Sequence, residues 1–97
     1  ISGFLYIDDL LSKINLIKLF PNPSDGIFNL QLTNHYSLVG KLFILNIEGK
    51  KVYEENMQLL SQENILIDIS ENNSGIYFVC FVVNNELILN KMIKIVK

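Results

Sequence analysis

The chain has no tryptophan and no arginine, a single cysteine, a single histidine and only two prolines. Each shortage excludes something. Without arginine, and with a formal net charge of −2, no basic surface is available to hold nucleic acid through its phosphates. One cysteine, Cys80, excludes an internal disulfide and leaves the redox compartment unread. The immunoglobulin signature of paired cysteines around a tryptophan is missing too. The apolar runs are short and broken by Asn, Lys and Glu, so none is long enough to span a bilayer.

What is present is a globular composition. The 97 residues are 49% hydrophobic and 19% charged, which excludes a disordered tail and provides for one domain with a real core. The chain begins at Ile1, with no initiator Met and no signal-peptide pattern, and reads as a piece of something longer. Residues 1–13 (ISGFLYIDDLLSK) differ in character from the rest of the chain. Phe4 to Ile7 suit the last strand of an upstream domain, with a linker behind it; an extra edge strand of the same domain is the alternative. The Asp8–Asp9 pair is too few oxygens for calcium.

The domain proper is read as residues 14–97. Strands are predicted at 14–20, 27–32, 41–47, 51–59, 64–70, 76–83 and 87–96. Phe28, Leu30 and Leu32 alternate with Asn29 and Gln31, the period of a half-buried strand. Residues 41–47 (KLFILNI) and 76–83 (IYFVCFVV) are apolar on both faces and suit central positions, whereas the polar middle of 51–59 suits an edge. Between them lie turns. Asn22-Pro23-Ser24-Asp25 fits a type I turn. Asn46 to Gly49 fits a type I turn closed by a left-handed glycine, and Asn84-Asn85 fits a two-residue type I′ hairpin. Residues 33–40 read as a loop. With no helical periodicity, the fold is expected to be all-β, an immunoglobulin-like antiparallel sandwich of about seven strands, with an open barrel as the alternative.

Catalytic chemistry finds no support. His35 lies in a polar loop and reads as solvated. Cys80 sits in an apolar strand without basic neighbours to activate it. Asp25, Asp68 and Glu71 fit turn and cap acceptors better than an acid pair. No metal-ligand spacing and no phosphate-binding glycine loop occurs, so neither cofactor nor metal is expected. Asn72-Asn73-Ser74 matches a glycosylation pattern too short to be specific. Lys91, Lys94 and Lys97 fall on a strand pattern, which puts Lys94 on the opposite face from the other two; solubility or protection of a sheet edge are their ordinary roles.

Four motifs in this order resemble a known family. They are Leu19-Phe20-Pro21-Asn22-Pro23-Ser24-Asp25-Gly26, then Asn46-Ile47-Glu48-Gly49-Lys50, then Ile67-Asp68-Ile69-Ser70 ahead of Gly75-Ile76-Tyr77-Phe78-Val79, then the final Asn90-Lys91-Met92-Ile93-Lys94-Ile95-Val96-Lys97. Their spacing resembles the C-terminal sorting domain of the type IX (Por) secretion system of Bacteroidetes, over roughly residues 15–97.

The resemblance implies a seven-strand immunoglobulin-like sandwich that is a transport signal and not an enzyme. It implies an upstream cargo that crosses the periplasm, an outer-membrane translocon that recognises the domain, and a sortase-like peptidase that cuts before it, here within Asp8 to Ile17. The cargo would end at the cell surface or outside. Positions matching the family pattern, and so implied in recognition, are Pro21, Asn22, Pro23, Gly26, Gly49, Gly75, Tyr77, Lys91, Lys94 and Lys97. Asn72 and Asn84-Asn85 depart from it, where an apolar residue and a glycine are more usual. Tyr77 is expected to pack with its hydroxyl at the surface. The turn at 21–26 and the last strand are expected to be exposed, the strand edge open to pairing by a partner. A surface adhesive or carbohydrate-binding module is the alternative, with Tyr36 and Tyr53 as its aromatic candidates.

Overall fold

Alternating apolar residues bury one face of each strand, and two such faces must close on each other. The computed structural model describes residues 17–33 and 37–97. There the chain forms β1 (Ile17–Phe20), β2 (Ile27–Leu32), β3 (Leu38–Leu45), β4 (Lys51–Leu59), β5 (Asn64–Asp68), β6 (Gly75–Val83) and β7 (Glu86–Ile95). The readings of residues 1–16, including the upstream strand and all of the cleavage region but Ile17, lie outside the described residues, as do His35 and Tyr36.

The strands form two sheets, β1-β2-β5 and β4-β3-β6-β7, with every pairing antiparallel. This is the immunoglobulin-like sandwich, with the fourth strand on the larger sheet. As expected, β3 and β6 are central and β4 is an edge. Phe28, Leu30, Leu32 and Ile67 from the smaller sheet meet Leu42, Ile44, Val79, Phe81 and Ile93 from the larger one in one buried core. Each side chain of this size contributes about 1.5–3 kcal/mol on burial.

Two hairpins form as their residues dictate. The Gly49 N–H donates to the Asn46 carbonyl at 2.9 Å, Gly49 has φ +85°, and pairing slips between Ile44 and Leu45. The Asn46 carboxamide oxygen accepts from the N–H groups of Glu48 and Lys50, both at 2.9 Å. Asn84 and Asn85 have φ +51° and +63°, the type I′ geometry.

Strand boundaries are corrected: β5 ends at Asp68 and not at residue 70, and β3 ends at Leu45 and not at residue 47. β3 begins at Leu38, so Gly40 belongs to a strand and not to a loop. A Cβ at Gly40 would stand 2.2 Å from the Val82 carbonyl oxygen. Glycine is there because β6 approaches its backbone, a tertiary reason that mimics a loop signal in sequence.

Candidate recognition site

Pro21, Asn22 and Pro23 are exposed, and the Phe20–Pro21 and Asn22–Pro23 peptides are both cis. The type I turn expected at Asn22–Asp25 is not what forms. Instead residues 22–24 run beside β7 as a strap. Asn22 Nδ2 donates to the Met92 carbonyl at 3.1 Å, and the Lys94 N–H donates to Asn22 Oδ1 at 3.0 Å. The Ser24 N–H donates to the Lys94 carbonyl at 2.9 Å, and the Val96 N–H to the Ser24 carbonyl at 2.8 Å. Ser24 and Ile95 form a parallel bridge. A local turn gave way because the polar groups of β7's outer edge need partners and this segment supplies them.

Ser24 is the buried anchor of the strap, 4% exposed. Its hydroxyl donates to the Ile27 carbonyl at 2.8 Å and accepts from the Gly26 N–H at 3.1 Å. Gly26 has φ +117°, and a Cβ there would stand 2.6 Å from Ser70 Cα. The Ile69 N–H donates to the Gly26 carbonyl at 2.8 Å, tying the strap to the segment after β5. Asp25 acts as a turn acceptor, taking the Ile27 N–H at 3.2 Å.

β7 supplies the other half of the site. Ile93 and Ile95 are buried, Lys91 is half-buried on their side, and Met92, Lys94 and Val96 face outward. Lys94 therefore opposes Lys91, as alternation requires. Lys97 lies beyond the strand; its N–H donates to Ser74 Oγ at 3.0 Å and its ammonium to the Ser70 carbonyl. The edge of β7 from Met92 to Val96 is occupied by the strap. Strand addition by a partner at that stretch, expected from sequence, would have to displace it.

Gly75 opens β6 opposite Ile95, and Tyr77 lies opposite Ile93. Tyr77 is packed in the core at 5% exposure, and its hydroxyl donates to the carbonyl of exposed Asn73 at 2.6 Å. This bond closes the turn before β6. Asn72 makes its departure from the family pattern good: its N–H and its Nδ2 both donate to the Ile69 carbonyl, at 3.0 and 3.2 Å. The Ser70 hydroxyl, at 2.6 Å, and the Ser70 N–H, at 2.9 Å, hold the Asp68 carboxyl below its ordinary value, and Lys97 adds to this.

The fold thus gathers Pro21, Asn22, Pro23, Gly26, Gly75, Tyr77, Lys91, Lys94 and Lys97 around one strand. Gly49 stays apart, in the hairpin between β3 and β4 at the other side of the sheet. Sequence reasoning missed Ser24 and Gly40. A serine two residues before a glycine is a faint local sign of the first; the second has none.

Tyr53 lies opposite Ile44, packs against the core, and hydrogen-bonds Glu55 through its hydroxyl. Burial, with the Glu55 bond and charge behind it, pushes its phenol up to about 12. Burial also raises the Cys80 thiol. Among the described residues, no three His, Cys, Asp or Glu side chains gather to hold a metal ion, and no helix is long and apolar enough to cross a membrane.

A family model described as a secretion system C-terminal sorting domain matches residues 18–96. No curated protein matches the chain.

Proposed function

The chain belongs to the family of secretion system C-terminal sorting domains, and from that premise we propose the route it serves. It directs an upstream cargo across the outer membrane through the type IX translocon. The cargo passes through the periplasm, and a sortase-like peptidase cuts within Asp8 to Ile17. The cargo then stays on the cell surface or is released, in a bacterium of the Bacteroidetes type.

The observation that carries this reading is the strap on β7. The first and last family motifs, far apart in sequence, form one exposed feature at the edge of the larger sheet. The implied recognition positions then divide by physical role. Pro21, Asn22, Pro23 and Lys94 present groups to a partner, flanked by Lys91 and Lys97. Gly26, Gly49, Gly75 and Tyr77 shape the backbone beneath. The domain acts by being bound and performs no chemistry.

A secretion assay tests it. Residues 8–97 are fused behind a signal peptide and a fluorescent reporter in a host with a type IX system. The same fusion ending at Asn85, and one carrying Asn22→Ala, serve as comparisons. Surface or medium reporter with the intact domain, lost on truncation and reduced by Asn22→Ala, is the expected result. Reporter trapped in the periplasm with the intact domain would refute the route.

A further inference from the structure

Side chains alternate across β6, so half of Gly75–Val83 fills the core and half faces outward. In a two-layer antiparallel sandwich the outward half is ordinarily polar. Here it is Ile76, Phe78, Cys80 and Val82. Cross-strand neighbours widen it, with Leu45 and Met92 opposite Phe78 and Phe43 opposite Cys80. Cys80 is already 4% exposed within this layer, while Met92 and Val39, further out on the same face, are 57% and 67% exposed. Toward the Asn84–Asn85 turn the face is concave, a depression of about 580 Å³ lined by Val39, Lys41, Phe43 and Val82 among others.

The rim is charged. Lys51 Nζ stands 5.4 Å from the centre of the Phe43 ring. Glu54 is bound by both Lys41, at 2.9 Å, and Lys51, at 3.2 Å. Lys94 closes the opposite side, across from Ile76. The strap borders the same face, since Asn22 bonds the Met92 carbonyl. An apolar centre with aromatic and methionine side chains inside a polar rim is the anatomy of a protein interface.

We propose that this outer face of the larger sheet docks a protein of the export machinery whose contact surface is apolar at its centre and acidic at its rim. The inference rests on the sorting-domain reading. The occupant is set by charge. Lys41, Lys51 and Lys94 outweigh Glu54 around the patch, although the whole chain carries −2. A second copy fits poorly, because two-fold docking would set lysine rims against each other.

The test uses the full chain fused to a secreted reporter in a type IX host. Met92→Asp and Val39→Asp place a carboxylate in the patch. Each is expected to lower export about tenfold or more, as loss of an interface anchor does, with an unchanged melting temperature of the purified protein. Leu66→Asp, at a residue 66% exposed on the outer face of the smaller sheet, is expected to export normally. Lys94→Glu decides the matter if an apolar-site variant fails to fold, and is expected to lower export likewise. Normal export of these variants overturns the inference. So does a wild-type dimer that Met92→Asp dissociates, which would assign the face to a second copy. Wild-type reporter that reaches neither the cell surface nor the medium refutes the proposed route, and this inference with it; wild-type export beside unimpaired variants refutes the inference alone.

Discussion

Asn22 and Lys94 stand 72 positions apart and share a hydrogen bond of 3.0 Å, from the Lys94 N–H to the Asn22 carboxamide oxygen. The same carboxamide donates to the Met92 carbonyl at 3.1 Å. One side-chain amide, with its donor and its acceptor, thus takes the place of a backbone peptide at the edge of β7. Ser24 then continues the pairing with its own main chain. The entry to the domain and its last strand are fastened together.

Asn22→Ala is therefore expected to destabilise the domain by about 1 kcal/mol, the net worth of an exposed hydrogen-bonded pair of this kind. The signature is local: the Lys94 amide exchanges faster in native-state hydrogen exchange, while the Ile93 amide does not. Asn22→Asp keeps the acceptor and loses the donor, and should fall between the two. An unchanged Lys94 exchange rate in Asn22→Ala would contradict the strap.

Gly26→Ala should cost about 3 kcal/mol, because a left-handed backbone and a 2.6 Å approach to Ser70 Cα act together. Gly49→Ala should cost only about 1 kcal/mol. Its φ is +85°, but an added Cβ meets nothing within 4 Å. Urea unfolding of both variants measures the difference, and equal losses would show that the Ser70 contact yields.

Tyr77→Phe removes the hydroxyl and leaves the Asn73 carbonyl without that donor. A loss of about 1–2 kcal/mol is expected, at an unchanged denaturant slope, since the ring still fills its place. A stability equal to wild type would mean that water replaces the bond fully.

The pH dependence follows from Asp68. The Ser70 hydroxyl and N–H, then Lys97, favour its charged form, so its folded pKa lies below the ordinary 3.8. A depressed carboxyl contributes stability that is full above the unfolded value and is lost as pH falls through the folded one. Melting temperature should fall on acidification below about pH 4, and Asp68→Asn should flatten that fall. Parallel acid profiles for wild type and variant would rule the contribution out.

Much of this is legible in the chain because its causes are local. Alternation at Phe28, Leu30 and Leu32 dictates a half-buried strand wherever it lies. Asn46 to Gly49 and Asn84-Asn85 carry their turn geometry in their own φ preferences. The apolar composition of residues 76–83 announces a central strand, though not that half of it faces outward.

The misreadings share the opposite cause. Gly40 reads as loop, yet its glycine answers to a carbonyl on β6. Pro23 reads as the second position of a type I turn, yet its segment answers to β7.

By itself, then, the sequence determined the strand pattern, the two hairpins and the family, because alternation, turn chemistry and motif order are written over stretches of a few residues. Only the tertiary structure decided that the opening motif straps the last strand, that an apolar face lies beside it, and that Gly49 stands apart from the rest. Those outcomes depend on which distant backbones the packed core brings within hydrogen-bonding reach, and no run of neighbouring residues encodes that distance.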